Sequence, residues 1–167
     1  MEGANQMEEN VVVSENLQKY ENYKEQSKRL KRALEYGFNL EAIFIEYAIF
    51  EDRTESVLRH AGLWDAYMKS RKNHGATIDS KIRCIQKKAE NKKDLLHKYF
   101  SDDLLDEILA WKEERNRLIH ALVKQQLQHN EISELAENGN KLLKALKLRT
   151  GNYNKAIERR KSKELSK

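Results

Sequence analysis

A chain of 167 residues with no proline and only six glycines contains almost nothing that stops an α-helix. Those two residue types cost a helix interior about 3 and about 1 kcal/mol relative to alanine, and the others cost far less. Long helices joined by short breaks are therefore expected. No run alternates apolar with polar residues for long enough to argue for a strand. The expected class is all-α, an antiparallel bundle of four to five helices. The length suits a single core, divided as a flexible N-terminal tail over residues 1–13, a helical bundle over residues 14–149 and a basic extension over residues 150–167.

The breaks can be placed from turn and cap chemistry. Met7 reads as an alternative first residue, and no function is assigned to the tail. Ser14 is a candidate N-cap for a first helix carrying Leu17, Tyr20, Tyr23, Leu30, Ala33 and Leu34, which runs to the interruption at Gly37. Asn39 can cap a second helix with the most apolar face in the chain (Leu40, Ile43, Phe44, Tyr47, Phe50, Val57, Leu58), stopped at Gly62. Residues 63–76 read as a partly helical connector with an irregular turn around Asn73 to Gly75. A third helix from Thr77 or Asp79 to about Phe100 buries Ile78, Ile82, Ile85 and Leu96. It turns Lys81, Lys87, Lys88, Lys92 and Lys93 outward. Ser101-Asp102-Asp103 caps a fourth helix to about Gln128, and a fifth covers Glu131 to Leu148 before Thr150-Gly151-Asn152 ends it.

Charge and cysteine usage narrow the setting. A formal charge of +5 and a pI near 9.1 favour encounters with polyanions. One cysteine, Cys84, can form neither an internal disulfide nor a zinc knuckle, which suits a reducing, cytoplasmic location. No stretch approaches the roughly 18 apolar residues of a membrane span. His60, His74, His97 and His129 lack metal-binding spacing and read as surface or helix-end residues, so neither metal nor cofactor is expected.

The segment that carries chemistry is Trp111 to Leu122. Leu104, Ile108, Trp111, Arg115, Leu118 and Leu122 follow helical spacing, so Arg115 falls inside an otherwise apolar stripe. The neighbouring stripe is interrupted at the same height by Lys112 and Asn116. Asn116 and His120 are four residues apart and share a face, whereas Arg115 and His120 lie about 140° apart around the axis, an angle a long arginine can lean across. A guanidinium, an amide and an imidazole are thus expected to converge on one helix edge. Cleavage of a phosphodiester by its own 2′-hydroxyl needs a group that titrates near neutrality, as imidazole does, and a cation that can grip phosphate oxygens, as guanidinium does. One imidazole cannot readily be base and acid in the same step, so a two-fold dimer that supplies a second copy becomes part of the expectation.

Arg115-Asn116-Arg117-Leu118-Ile119-His120 resembles the arginine-polar-x-x-x-histidine motif of the HEPN superfamily. The resemblance covers these six residues and their helical context. It implies a metal-independent endoribonuclease acting on RNA at a homodimer interface, with Arg115 and His120 catalytic and Asn116 positioning. It also implies a setting in toxin–antitoxin or phage-defence systems, with an antitoxin or a nucleotidyltransferase as a further partner. In members paired with a nucleotidyltransferase the residue two beyond the histidine is a modified tyrosine. Here that place holds Leu122, which has no hydroxyl to modify.

Plainer readings stand beside this one. Arg115 could simply be tied to an acid of the second helix such as Glu46 or Glu51, with His120 packed at an interface. Among Glu46, Glu51, Asp52 and Arg53, one could instead face the cleft and orient Arg115. Lys28 to Arg32 and the third-helix lysines could follow phosphates or be an ordinary solvated face. Trp64, Tyr67 and Trp111 read as core aromatics. The alternative function is a non-catalytic HEPN-like module that binds RNA or another protein.

Overall fold

The computed structural model describes residues 2–71, 75–124 and 129–165, and side chains from residue 17 onward. Within them the chain is all-helical, with no strand. Seven helices pack together: α1 (Glu2–Glu35), α2 (Asn39–His60), α3 (Trp64–Ser70), α4 (Ile78–Ala89), α5 (Leu95–Phe100), α6 (Leu104–Ala121) and α7 (His129–Leu165). Four to five were expected. His74, most of the turn around Asn73 and the end of the fourth helix at Gln128 lie outside the described residues.

α3 lies in the connector expected to be partly helical, and the other extra helix comes from local competition for the backbone. The third helix splits because Asn91 Oδ1 accepts from the Lys93 amide at 3.0 Å and Asp94 Oδ1 from the Leu96 amide at 2.9 Å. Short side chains that bond nearby amides offer the chain an alternative to the helix. Asp94 thereby caps α5, and His97 Nδ1 lies 2.8 Å from the carbonyl oxygen of Ala89, the last residue of α4. Thr77 caps α4 reciprocally with Ser80. Two other expected caps are absent: Phe38 rather than Asn39 precedes α2, and Asp103 precedes α6 without a side-chain cap bond.

Gly37 and Gly62 stop their helices as expected. Both have positive φ (74° and 68°), and beyond each the chain turns back with the Phe38 amide on Ala33 and the Leu63 amide on Leu58. Two other limits differ from the sequence reading. α1 begins at Glu2 rather than Ser14, in a run free of proline, and α7 passes straight through Thr150-Gly151-Asn152. Thr150 and Tyr153 are buried one turn apart there, and the Tyr153 ring packs 5.8 Å from Phe100 and 6.0 Å from Tyr99. Burial of that ring outweighs the ~1 kcal/mol that a mid-helix glycine costs.

α2 is the spine, packed most extensively on α7 and also on α1, α4 and α3, while α7 reaches α6 and α5. Its Ile43, Phe50, Val57 and Leu58 are fully buried with Ile78, Ile82 and Ile85 of α4, Leu105 and Ile108 of α6 and Leu146 of α7. On α1 the core takes Leu30 and Ala33, while Leu17 and Tyr20 stay exposed.

A carboxyl group lies inside this packing. Glu46 is completely buried, both its carboxyl oxygens lack a hydrogen-bond partner among the described residues, and burial pushes its pKa up to about 9. It sits over Gly139 of α7. A Cβ at Gly139 would fall onto the Glu46 carboxyl and lie 2.8 Å from Trp111 Nε1.

Glu46 therefore holds its proton in the folded chain up to about pH 9, while in the unfolded chain it ionises near 4.5. Stability from this group falls as pH rises between those values, because the folded state binds the extra proton. We predict that Glu46→Gln removes a pH-dependent cost of about 3 kcal/mol at pH 7, rising by about 1.4 kcal/mol per pH unit, visible in urea unfolding between about pH 5 and pH 9. A wild-type-to-variant gap independent of pH across that range would contradict it. Gly139→Ala is expected to destabilise by about 1–3 kcal/mol despite alanine's better helix propensity, because the rigid indole cannot yield. A melting temperature at or above wild type would show that the helices part without cost.

Candidate functional site

The position of α6 is set from its middle. Trp111 is buried, its Nε1 donates to the Leu135 carbonyl of α7 at 2.9 Å, and its ring lies 5.0 Å from Phe50 of α2. Arg115 follows one turn later on the same side, and its guanidinium carbon comes 4.6 Å from the Tyr47 ring centroid and 5.1 Å from that of Phe44. Cation–aromatic contacts of this kind are worth about 0.5–2 kcal/mol, more as water is excluded. Phe44 and Tyr47, three residues apart on α2, form a shelf for the guanidinium.

Arg115 is half-buried. Its Nη1 donates to Asn116 Oδ1 at 3.1 Å, while its Nε is buried with no hydrogen-bond partner among the described residues. No carboxylate pairs with it there. The contrast within the chain is sharp, since Arg29, Arg53, Arg59, Arg117 and Arg149 are paired with Glu41, Asp52, Glu55, Glu114 and Asp102 respectively.

The nearby acids are engaged elsewhere. Glu51 is met by Lys81, whose Nζ lies 3.7 Å from its carboxylate and donates to its backbone oxygen at 3.2 Å. Asp79 is held by both oxygens to Lys112 Nζ at 2.8 and 2.9 Å, and Glu113 joins that ammonium at 2.6 Å. Asp52 pairs with Lys19 and Arg53, and Glu46 is in the core. The plain alternative that Arg115 is tied to Glu46 or Glu51 is therefore not what is found. Nor does any of the four α2 charges hold Arg115 by an ion pair.

Lys81 was expected outside and is instead buried, as is Lys112. Their stems run through apolar packing while the ammonium groups reach acids. Burial works against the Lys112 charge, but its hydrogen bonds to Asp79 and Glu113 outweigh that and hold its pKa above the usual lysine value. Burial, then the Glu51 charge, raises the Tyr47 phenol, with Arg115 acting against them.

His120 lies in the last turn of α6, exposed, with no hydrogen bond to any described residue. The three motif residues are thus only partly assembled in one chain: Arg115 and Asn116 touch, while His120 stands one turn beyond Asn116 and is bonded to neither. The arrangement offers a fixed, un-neutralised cation for an anionic oxygen and an open imidazole on the same helix. Among the described residues no group of three or more His, Cys, Asp or Glu side chains could hold a metal ion, and no helix is long and apolar enough to cross a membrane.

The aromatic shelf was missed in the sequence because Phe44 and Tyr47 fit the core stripe of α2. Their three-residue spacing signalled only that they share a face. Phe44 is in fact 51% exposed. No protein-family model, curated protein or solved structure matches the chain.

If Lys112 is what occupies Asp79, Lys112→Met should cost about 1–2 kcal/mol in urea unfolding, a modest value because Asp79 is still 33% exposed. The raised Lys112 pKa keeps the ammonium charged well above neutrality, and the ion pair's contribution is lost only as pH climbs through that raised value. The loss should therefore be constant between about pH 6 and pH 9. A cost below roughly 0.3 kcal/mol would mean the pair contributes nothing.

Proposed function

We propose that this chain is a metal-independent endoribonuclease of the HEPN type, working as a homodimer. The observation that carries the reading is the un-neutralised Arg115 guanidinium, held on Tyr47 and Phe44 within the Arg115-to-His120 motif and on the same helix as an exposed imidazole. A guanidinium kept half-buried without a carboxylate is poised for a phosphate. The formal charge of +5 favours the encounter.

In the proposed step the 2′-oxygen attacks phosphorus as His120 takes its proton. Arg115 stabilises the charge on the phosphorane oxygens, with Asn116 orienting the guanidinium. The bond to the 5′-oxygen breaks, and the imidazolium of the partner's His120 supplies that oxygen with its proton. The products are a 2′,3′-cyclic phosphate and a 5′-hydroxyl. The long helices form an antiparallel bundle in this reading, which fits the order of contacts: Trp111 meets Phe50, and the later Arg115 meets the earlier Tyr47 and Phe44. A cytoplasmic toxin–antitoxin or phage-defence setting, with an antitoxin or nucleotidyltransferase partner, belongs to the same proposal.

A second reading is a non-catalytic RNA-binding or protein-interaction module. It is favoured by the lack of any hydrogen bond orienting His120 among the described residues.

Purified full-length chain is expected to cleave RNA in EDTA and leave 2′,3′-cyclic phosphate ends. His120→Ala should lower the rate by about 100-fold or more, with the fold and oligomeric state unchanged. Equal rates in wild type and His120→Ala would sink the nuclease reading. RNA binding that depends on Arg115 without cleavage would select the binding module.

A further inference from the structure

Tyr20, Tyr36, Phe38 and Phe44 are the large aromatic rings that stand exposed on the described surface. Of these, Phe44 alone has a cation over its ring among the described residues. That cation is Arg115, which has no carboxylate partner among the described residues. Its remaining ring contact is Tyr47, which is half-buried and raised by its surroundings above an ordinary phenol. A free cation and a half-open aromatic face thus lie side by side on two different helices, each pinned by core packing.

A nucleotide presents the same two groups, an anionic phosphate and a flat base, within one unit. We propose that Phe44 is a base-stacking platform, so that the Arg115 site takes an unpaired nucleotide: the phosphate on the guanidinium, the base on the exposed part of the phenyl ring. The inference rests on the reading of Arg115 as a phosphate-binding residue and adds a residue of another helix, Phe44, that takes the base of an unpaired nucleotide. Within a duplex each base face is covered by its neighbours, and only an unpaired base offers a face to a protein ring. Stacking on an aromatic ring is also indifferent to which base is offered, so the site selects for strandedness rather than sequence. Phe44 lies on the open face of α2 with Tyr47, and the opposite side of the same helix is buried through Ile43 and Phe50, so core packing holds the helix that carries the platform. Tyr47 acts as a positioning residue, holding the guanidinium from the side that faces the core.

The test is binding of a labelled 2′-O-methyl RNA of about ten nucleotides, which lacks the attacking hydroxyl and so reports binding without cleavage. It is measured by fluorescence anisotropy, single-stranded and annealed to its complement, with thermal melting to verify each variant. Phe44→Ala and Phe44→Leu are expected to weaken the single strand about 10- to 100-fold, Phe44→Trp to bind within a few-fold of wild type, and the duplex to respond to none of them. Arg115→Ala should reduce the salt dependence of single-strand binding by about 0.7 in the logarithmic slope, which the Phe44 variants leave unchanged. If Phe44→Leu binds the single strand as tightly as wild type while Arg115→Ala does not, stacking is refuted and the phosphate reading survives. Stacking is equally refuted if Phe44→Trp is as weak as Phe44→Ala, or if the duplex weakens in parallel, since Phe44 would then act only by propping Arg115. If wild type binds neither form, or Arg115→Ala binds as wild type, the phosphate reading itself falls and the platform with it.

Discussion

The approach of α7 to α2 and α6 at Gly139 is the contact on which the rest of the molecule depends. The space a side chain would need there is filled by the Glu46 carboxyl and the edge of the Trp111 indole. One turn earlier in α7, the Leu135 carbonyl receives the indole N–H, and across the core the ring lies on Phe50. Three helices are thereby locked around one rigid side chain, which fixes both the height and the rotation of α6. Arg115, four residues on, inherits that rotation and arrives over Tyr47 and Phe44. A shift of one residue would turn it by about 100° and send the guanidinium elsewhere. The stacked arginine is therefore a consequence of core packing rather than a surface accident.

Geometry alone would not leave that arginine charged and free, because acids surround it. Glu51 and Asp79 are both close enough to the Tyr47 phenol to act on it electrostatically, as Arg115 is. What keeps them from neutralising Arg115 is a second set of cations, Lys81 and Lys112, whose ammonium groups reach those acids from buried stems. Burying two lysines is costly in desolvation, and the hydrogen bonds they make offset that cost locally. The net result is a layer in which five charges (Glu51, Asp79, Glu113, Lys81 and Lys112) satisfy one another and a sixth, Arg115, is left without a carboxylate among the described residues. Glu46 adds to the same pattern by remaining protonated in the core, where an ionised carboxylate would otherwise attract the nearest cation.

What could be read from the sequence follows a physical divide. Helical class, the glycine stops at Gly37 and Gly62, the Thr77 start of α4 and the apolar stripe of α2 are local or periodic, and they were legible. The break at Asn91 to Asp94 was also written locally, in two side chains that bond nearby amides, but the apolar stripe running through Leu95 and Leu96 hid it. The continuation of α7 through Gly151 was not legible, because it depends on Tyr153 meeting Phe100 from a distant part of the chain. The burial of Lys81 was missed for a related reason: a lysine's spacing says which way its Cβ points, not whether an acid on another helix waits for its ammonium. The motif on α6 was visible as an anomaly, a charge inside an apolar stripe. The shelf that explains how that charge is held needed a second helix, and the periodicity of α2 assigned Phe44 to the core.

The two chemical groups of the motif are held in different ways, and on the nuclease reading that difference has a meaning. Arg115 sits one turn from the Trp111 anchor, is stacked on two rings and bonded to Asn116, so its charge is in place before any substrate arrives. Such a preorganised charge stabilises a developing anion without reorganisation. His120 sits nine residues beyond the anchor, in the last turn of α6, exposed and without a hydrogen bond among the described residues. Proton transfer needs an imidazole whose orientation and tautomer are set by something on its far side. It also needs a second proton-carrying group for the leaving oxygen. Both deficits lie on the same exposed end of the same helix, and a single two-fold copy of that end would meet both at once. On that reading phosphate capture would draw only on what one chain fixes, whereas cleavage would need what an assembled pair provides.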